Sequence, residues 1–187
     1  MKIFFRLVVS MCFLVIGFVS CAEKIRLRDT LMNFMKSEII IPNDLKCIYD
    51  GEINSIKEDT LKRLKLIVYY DSLSCTSCAL SNLYNLYPLY NMADTSNFSV
   101  ITIFSPSKLD MENLQLHFLK SDYPIPIYLD VNQSFSNKNT SIPNDPRSHT
   151  FLISGDNFPI YIGNPRLSFK LKNIFVEVLN KYTTIIN

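Results

Sequence analysis

The 187-residue chain has no tryptophan and only four glycines. So little glycine argues against a loop-dense or phosphate-cradling architecture, where the backbone must turn through positive φ or approach a ligand closely. Neither sign of charge is in excess. The formal net charge of +2 counts Lys2 and Arg6, which lie in an N-terminal segment expected to be removed. Without them 17 basic residues face 17 acidic ones. No basic stripe suggests a nucleic-acid partner, and no internal repeat is visible. The apolar run Leu7–Val19 is shorter than the about 20 residues that a spanning helix needs. The length suits one ordinary domain with a real core and a small extension.

That apolar run follows a short cationic start, Met1-Lys2-Ile3-Phe4-Phe5-Arg6, and precedes small residues and Cys21. This is the layout of a secretory signal peptide. Phe18-Val19-Ser20-Cys21 further resembles the lipobox of bacterial lipoproteins, with Phe18 where leucine is usual. The resemblance implies acylation of Cys21 and a lipid anchor in a bilayer; a retained anchor or ordinary cleavage are the alternatives. Residues 1–20 are therefore read as a signal peptide, 21–60 as a tether and extension, and 61–187 as the main domain. The expected location is the exported bacterial cell envelope, lipid-anchored and facing the periplasm.

Export sharpens the cysteine count. Of five cysteines, Cys12 leaves with the signal and Cys21 is blocked, so Cys47, Cys75 and Cys78 remain as thiols. Cys47 reads as an isolated, partly buried thiol on a strand, with an intermolecular disulfide as the alternative. Cys75-Thr76-Ser77-Cys78 carries more information. It follows Leu64-Lys65-Leu66-Ile67-Val68-Tyr69-Tyr70, apolar and β-branched as a buried strand requires. It also opens a helical pattern in which Leu80, Leu83, Tyr84, Leu86, Tyr87 and Tyr90 recur. A Cys-x-x-Cys at such a junction can close a disulfide across one turn. Its first sulfur sits among the unpaired N–H groups of the helix start, which favour thiolate.

Around this motif the chain alternates. A helix over 23–38 with a stripe of Ile25, Leu31, Phe34 and Met35 is expected to pack on the domain rather than sense a membrane. Lys46-Cys47-Ile48-Tyr49 is strand-like and ends in the turn signal Asp50-Gly51; residues 55–62 read as a short helix or connector. After the strand at 64–70 come a helix at about 77–92, a strand at 98–104, and a helix over about 108–120 capped by Ser107. A third strand, 125–130, contains Pro126, which suggests an edge or strand-start position. Residues 132–147 read as a loop with one helical turn. His149–Ile153 and Phe158–Ile162 flank Ser154-Gly155-Asp156-Asn157, a hairpin signature. A helix over about 168–182 closes the chain, apolar at Phe169, Leu171, Ile174, Phe175, Val178 and Leu179. The order β-α-β-α-β, then β-β-α, predicts an α/β fold with a mixed central sheet, helices on both faces and a small N-terminal helix/strand extension. Its sites belong at the strand C-termini.

Over residues 61–183 the sequence resembles the thioredoxin-like superfamily, in particular its exported, membrane-tethered branch of TlpA-type and AhpC/TSA-like proteins. The resemblance rests on Cys75-Thr76-Ser77-Cys78 after the strand, on His149-Thr150-Phe151-Leu152-Ile153, and on the hairpin closing with Gly163-Asn164-Pro165. It implies a thiol–disulfide oxidoreductase that exchanges disulfides with protein partners in the envelope, with no cofactor. Cys75 would attack and Cys78 resolve, with Thr76, Ser77 and Thr150 as motif positions. Three departures stand out. Ser74 replaces the aromatic residue that usually precedes the first cysteine. The buried aspartate of thioredoxin falls at or near Tyr69. The cis-proline register holds His149-Thr150, where a trans peptide is expected, because a non-proline cis bond costs about 2.5–4 kcal/mol.

His149 admits three readings: packing without touching a sulfur, tuning the thiols, or completing a metal site with Cys75 and Cys78. His117, remote from other ligands, reads as structural or exposed. At the level of the whole protein the alternative is a non-enzymatic envelope binding or assembly protein with a structural Cys75–Cys78 disulfide. A peroxidase role is weaker, since no Pro-x-x-x-Thr-x-x-Cys-like pocket surrounds Cys75.

Overall fold

Runs rich in valine, isoleucine, leucine and aromatics become the inner strands, where both faces are covered. The computed structural model describes residues 24–55, 63–72, 76–121 and 123–184. Among these residues the strands are β1 (Lys46–Tyr49), β2 (Glu52–Ser55), β3 (Leu64–Tyr70), β4 (Phe98–Phe104), β5 (Ile127–Leu129), β6 (Thr150–Ile153) and β7 (Pro159–Ile162). The helices are α1 (24–35), α2 (Thr76–Asn82), α3 (Tyr87–Thr95), α4 (Met111–Lys120), α5 (Ser134–Lys138) and α6 (Phe169–Thr184). One sheet runs in the order β2-β1-β5-β4-β3-β6-β7.

Strands β3 and β4 pair in parallel along their whole length, from Leu64↔Phe98 to Tyr70↔Phe104, and β5 continues the parallel set beside β4. On the other side β6 runs antiparallel to β3 and β7 antiparallel to β6. The hairpin β1–β2 adds to β5 antiparallel, so the N-terminal extension lengthens the sheet. Parallel crossovers followed by an antiparallel hairpin and a closing helix make this the thioredoxin-like α/β arrangement.

Alternation along each strand sends side chains to two separate layers. Leu66, Val68, Val100 and Leu152 meet Leu83, Leu89, Phe118 and Phe175 of α3, α4, α6 and the turn after α2. Ile67, Tyr69, Ile101, Ile103 and Phe151 meet Phe34 of α1 and Phe135 of α5. Helices therefore cover both faces, as the sequence predicts.

Several boundaries differ, each for a local reason. The helix expected over 77–92 divides into α2, a 3-10 turn at Tyr84–Leu86, and α3. Pro88 sits at the start of α3; it has no N–H to give the Tyr84 carbonyl and its ring crowds that oxygen. Ser107 does not cap the next helix. Its hydroxyl donates to Asp110 Oδ2 at 2.7 Å, and α4 starts at Met111 with Asp110 as its N-cap residue. Pro126 precedes β5, and β5 lies between β1 and β4, so the edge alternative is corrected to a strand start. Asp50 (φ 53°) and Gly51 (φ 71°) both turn left-handed, as a two-residue primed hairpin requires. The half-polar β2 that this turn feeds escaped the sequence pattern. In α6 Phe175 and Leu179 are buried, but Phe169 is 79% exposed.

The helix α1 departs most. Of the expected packing stripe only Phe34 is buried, edge-on to Phe151 at 5.0 Å between ring centroids. Leu31 is half-buried, while Ile25 and Met35 are exposed. Beyond α1 the chain is tied down by polar groups. The Asn139 amide donates to the Ile40 and Phe135 carbonyls, both at 2.8 Å, and accepts from the Ile40 N–H at 2.8 Å. Ile39 N–H donates to the Asn157 carbonyl at 2.8 Å.

Asn139 is 3% exposed, and deleting its amide takes the partner from the part-buried N–H and carbonyl of Ile40, a loss that costs about 1–3 kcal/mol for each group left buried. Asn139→Ala is expected to lower stability by about 2–4 kcal/mol. Urea unfolding would report this as a lower midpoint at unchanged slope; a loss of about 0.5 kcal/mol or less, as for an ordinary surface substitution, contradicts the clamp.

Candidate functional site at the strand C-terminal edge

Backbone hydrogen bonds carry the sheet's alignment past the strand ends. Ser105 N–H donates to the Tyr70 carbonyl at 2.8 Å, and Asp130 N–H to the Phe104 carbonyl at 2.8 Å. Tyr69 N–H donates to the His149 carbonyl at 2.9 Å. Tyr69, Tyr70, Ser105, Asp130 and His149 thus share one edge, the edge where sheets of this kind place their sites. The connection that leaves β3 there leads into α2, whose first turn holds Thr76, Ser77 and Cys78. Cys75, the residue before α2, lies outside the described residues, as do Ser74, Cys21 and the whole of 1–20. Neither sulfur is therefore located.

His149 follows the 3-10 turn Pro146–Ser148, and no cis peptide occurs among the described residues, in line with the trans bond expected there. Its ring is 4% exposed and lies 5.3 Å from the Tyr69 ring. Nε2 is 2.8 Å from the Pro143 carbonyl. A carbonyl only accepts, so Nε2 carries the hydrogen and Nδ1 of the neutral ring presents a lone pair. That Nδ1 is buried and has no hydrogen-bond partner among the described residues. An unmet buried acceptor is uncommon and needs a reason.

Tyr69 stands at or near the position that the resemblance assigns to the buried aspartate of thioredoxin. The residue is 7% exposed, its ring also lying 5.1 Å from Phe135. Burial pushes its phenol pKa up; hydrogen bonds with the Ser105 and Ser136 side chains oppose that, and the Asp71 and Asp130 carboxylates add to it. The hydroxyl stays protonated at any physiological pH.

Sequence reasoning passed over a buried acidic group at this edge. Asp130, 1% exposed, accepts from Ser105 Oγ at 2.6 Å, from Phe135 N–H at 3.1 Å and from Ser136 N–H at 3.3 Å. Three donors allow the carboxylate to be buried. Its signal was an aspartate at a strand end a few residues before a helical turn.

Thr150 opens β6, buried opposite Val68, and its carbonyl accepts from Gly163 N–H at 2.7 Å. Beside Tyr70 a polar cleft of about 280 Å³ is lined by Asn82, Asn85, Asn164 and Arg166 among others. His117 stands apart on α4, its Nε2 3.0 Å from the Tyr123 hydroxyl. Cys47 is a half-buried free thiol whose pKa burial pushes up. No group of three metal-ligating side chains occurs among the described residues, and no helix among them is long and apolar enough to cross a membrane.

No family model matches the sequence, and no curated protein matches it. Solved structures do align. One is the C-terminal domain of a protein described as a thiol-disulfide oxidoreductase from Bacteroides thetaiotaomicron, with TM-score 0.49, 19% identity, and 78% of this chain and 99% of that one covered. A thioredoxin-like protein from Porphyromonas gingivalis aligns with TM-score 0.46 and 13% identity over 76% of this chain and 92% of that one. AhpC from Mycobacterium tuberculosis gives TM-score 0.44 and 11% identity over 74% of this chain and 98% of that one. Likeness at this level carries no argument about what the chain does; the thioredoxin-like description rests on its own strand order and pairing.

Proposed function

We propose that the protein is a membrane-tethered thiol–disulfide oxidoreductase of the cell envelope that works through Cys75 and Cys78. The observation that carries this reading is the edge itself. Helix α2, which includes Cys78, follows β3 in the chain from the edge where His149, Tyr69, Ser105 and Asp130 lie, and in the sequence Cys75 directly precedes Thr76, the first residue of α2.

The chemistry is a two-electron exchange. Cys75 thiolate attacks one sulfur of a partner disulfide; that S–S bond breaks, and the departing partner sulfur leaves as thiolate and takes a proton. Cys78 thiolate then attacks Cys75 in the mixed disulfide and releases the second partner sulfur. The partner is reduced and the motif oxidised; with the opposite potential difference the same steps run in reverse.

His149 supplies a proton acceptor. With Nε2–H held by Pro143, Nδ1 is the ring atom free to take the thiol proton, and the resulting imidazolium favours thiolate. The tether is the acylated Cys21 that the lipobox resemblance implies.

Three measurements test this. Cys75→Ser is expected to abolish reduction of a model protein disulfide; activity at the wild-type rate excludes the role. Titrating the motif against glutathione separates exchange from a structural staple, since a potential below about −300 mV marks the latter. His149→Ala is expected to slow alkylation of Cys75 at neutral pH by about threefold or more and to displace the pH profile to higher pH. An unmoved profile with only lower stability assigns His149 to packing.

A further inference from the structure

The helix α1 presents an apolar face that the domain does not cover. Leu27, Leu31 and Met35 recur at i, i+4 spacing on one side, with Met32 and Ile25 beside them. Only Phe34 reaches the core; Ile25 is 56% exposed, Met32 46% and Leu27 41%. Lys24 and Arg28 stand within this face, between Leu31 and Met32 around the helix, and with Leu27, Leu31 and Met32 they line one shallow apolar groove. Arg26 and Lys36 are exposed as well, and within α1 the one acidic residue is Asp29. Apolar residues interleaved with a lysine and an arginine, whose stems can lie along an apolar layer while their charges reach the headgroups, suit a helix that lies in a bilayer surface.

Chain length selects the occupant. Lys24, the first described residue of α1, follows Cys21 by three residues, and three residues span at most about 11 Å. A lipid on Cys21 therefore brings the start of α1 to the headgroup layer, where a helix about 10–12 Å across has its exposed face within reach of the acyl boundary. We infer that α1 is an interfacial helix, with Ile25, Leu27, Leu31, Met32 and Met35 seated in an anionic lipid surface and Lys24 and Arg28 at its phosphates. This inference rests on the tether proposed above and adds to it: the anchor fixes attachment, and α1 fixes which face of the domain meets the bilayer.

The absence of tryptophan gives a clean test in the full acylated chain. Met32→Trp places a single reporter on the α1 face, and Leu109→Trp places one at a loop position that is 90% exposed. Both proteins are reconstituted on phosphatidylcholine–phosphatidylglycerol vesicles. Brominated lipid is expected to quench about half or more of the α1 emission and to leave the control, which aqueous iodide quenches instead. Omitting phosphatidylglycerol or raising salt should weaken the α1 quenching, because exposed charge pairs are screened.

Protein that floats with the vesicles while Met32→Trp stays iodide-accessible overturns the inference and spares the tether. Protein that fails to float overturns the tether and the inference with it. A blue shift that appears without lipid and grows with protein concentration identifies a second copy as the occupant and also overturns it.

Discussion

The parallel pairing of β3 with β4 over seven residues is the constraint on which the rest depends. Both strands are covered on both faces, so each residue is committed to one of two helix layers. A slip of one residue would send the Tyr69 ring away from Phe135 and His149 and into the layer of Leu83 and Phe118. Because β3 is central, it also fixes β6 on its other side, and the bond from Tyr69 N–H to the His149 carbonyl extends that register into the loop before β6. The position of His149 is thus a consequence of sheet register. Its ring orientation is a separate matter, set by the Pro143 carbonyl.

At this edge the polar groups are arranged by supply and demand. Asp130 is an acceptor and is met by one hydroxyl and two backbone N–H groups. Tyr69 is kept protonated by burial and by nearby carboxylates, so it adds no negative charge. His149 Nδ1 is the acceptor left over among the described residues. An acceptor buried without a donor costs about 1–3 kcal/mol, and a thiol arriving at the same edge is a donor.

Strands β3, β4 and β6 were legible because β-branched and aromatic runs have few alternatives when both faces are buried. The β6–β7 turn was legible from Ser154-Gly155-Asp156-Asn157, where Asn157 indeed adopts positive φ. Less could be read where two local rules compete. Ser107 and Asp110 are both capping types, and only the folded chain decides that they bond to each other. Pro88 could have ended a helix or kinked one, and periodicity alone cannot choose. The stripe of α1 shows a deeper limit: hydrophobic spacing identifies a face but not what covers it, so Phe34 in the core and Ile25 in the open look alike in sequence. Of the residues singled out by type and spacing, His149 lies at the strand edge, while Cys75 lies outside the described residues. Asp130 was not singled out, because a carboxylate at a strand end is ordinary until its donors are seen.

The helix α5 joins the two ends of the argument. At its start, the N–H groups of Phe135 and Ser136 hold the Asp130 carboxylate at the strand edge. At its end, the Asn139 amide holds Ile40, a few residues past α1. Between them Phe135 packs on Tyr69. Five helical residues therefore set the spacing between the segment proposed to meet the bilayer and the edge proposed to exchange disulfides. Two hydrogen bonds between the Asn139 amide and the Ile40 backbone leave the N-terminal segment little freedom to swing about that point. A rigid link of this kind gives the site one height and one aspect relative to the membrane, whereas a flexible glycine-rich tether would let it sample a volume. No glycine lies between Cys21 and Asp50, which fits the first design. On this arrangement partner choice would depend on which disulfides come within reach of a fixed edge as well as on sulfur chemistry.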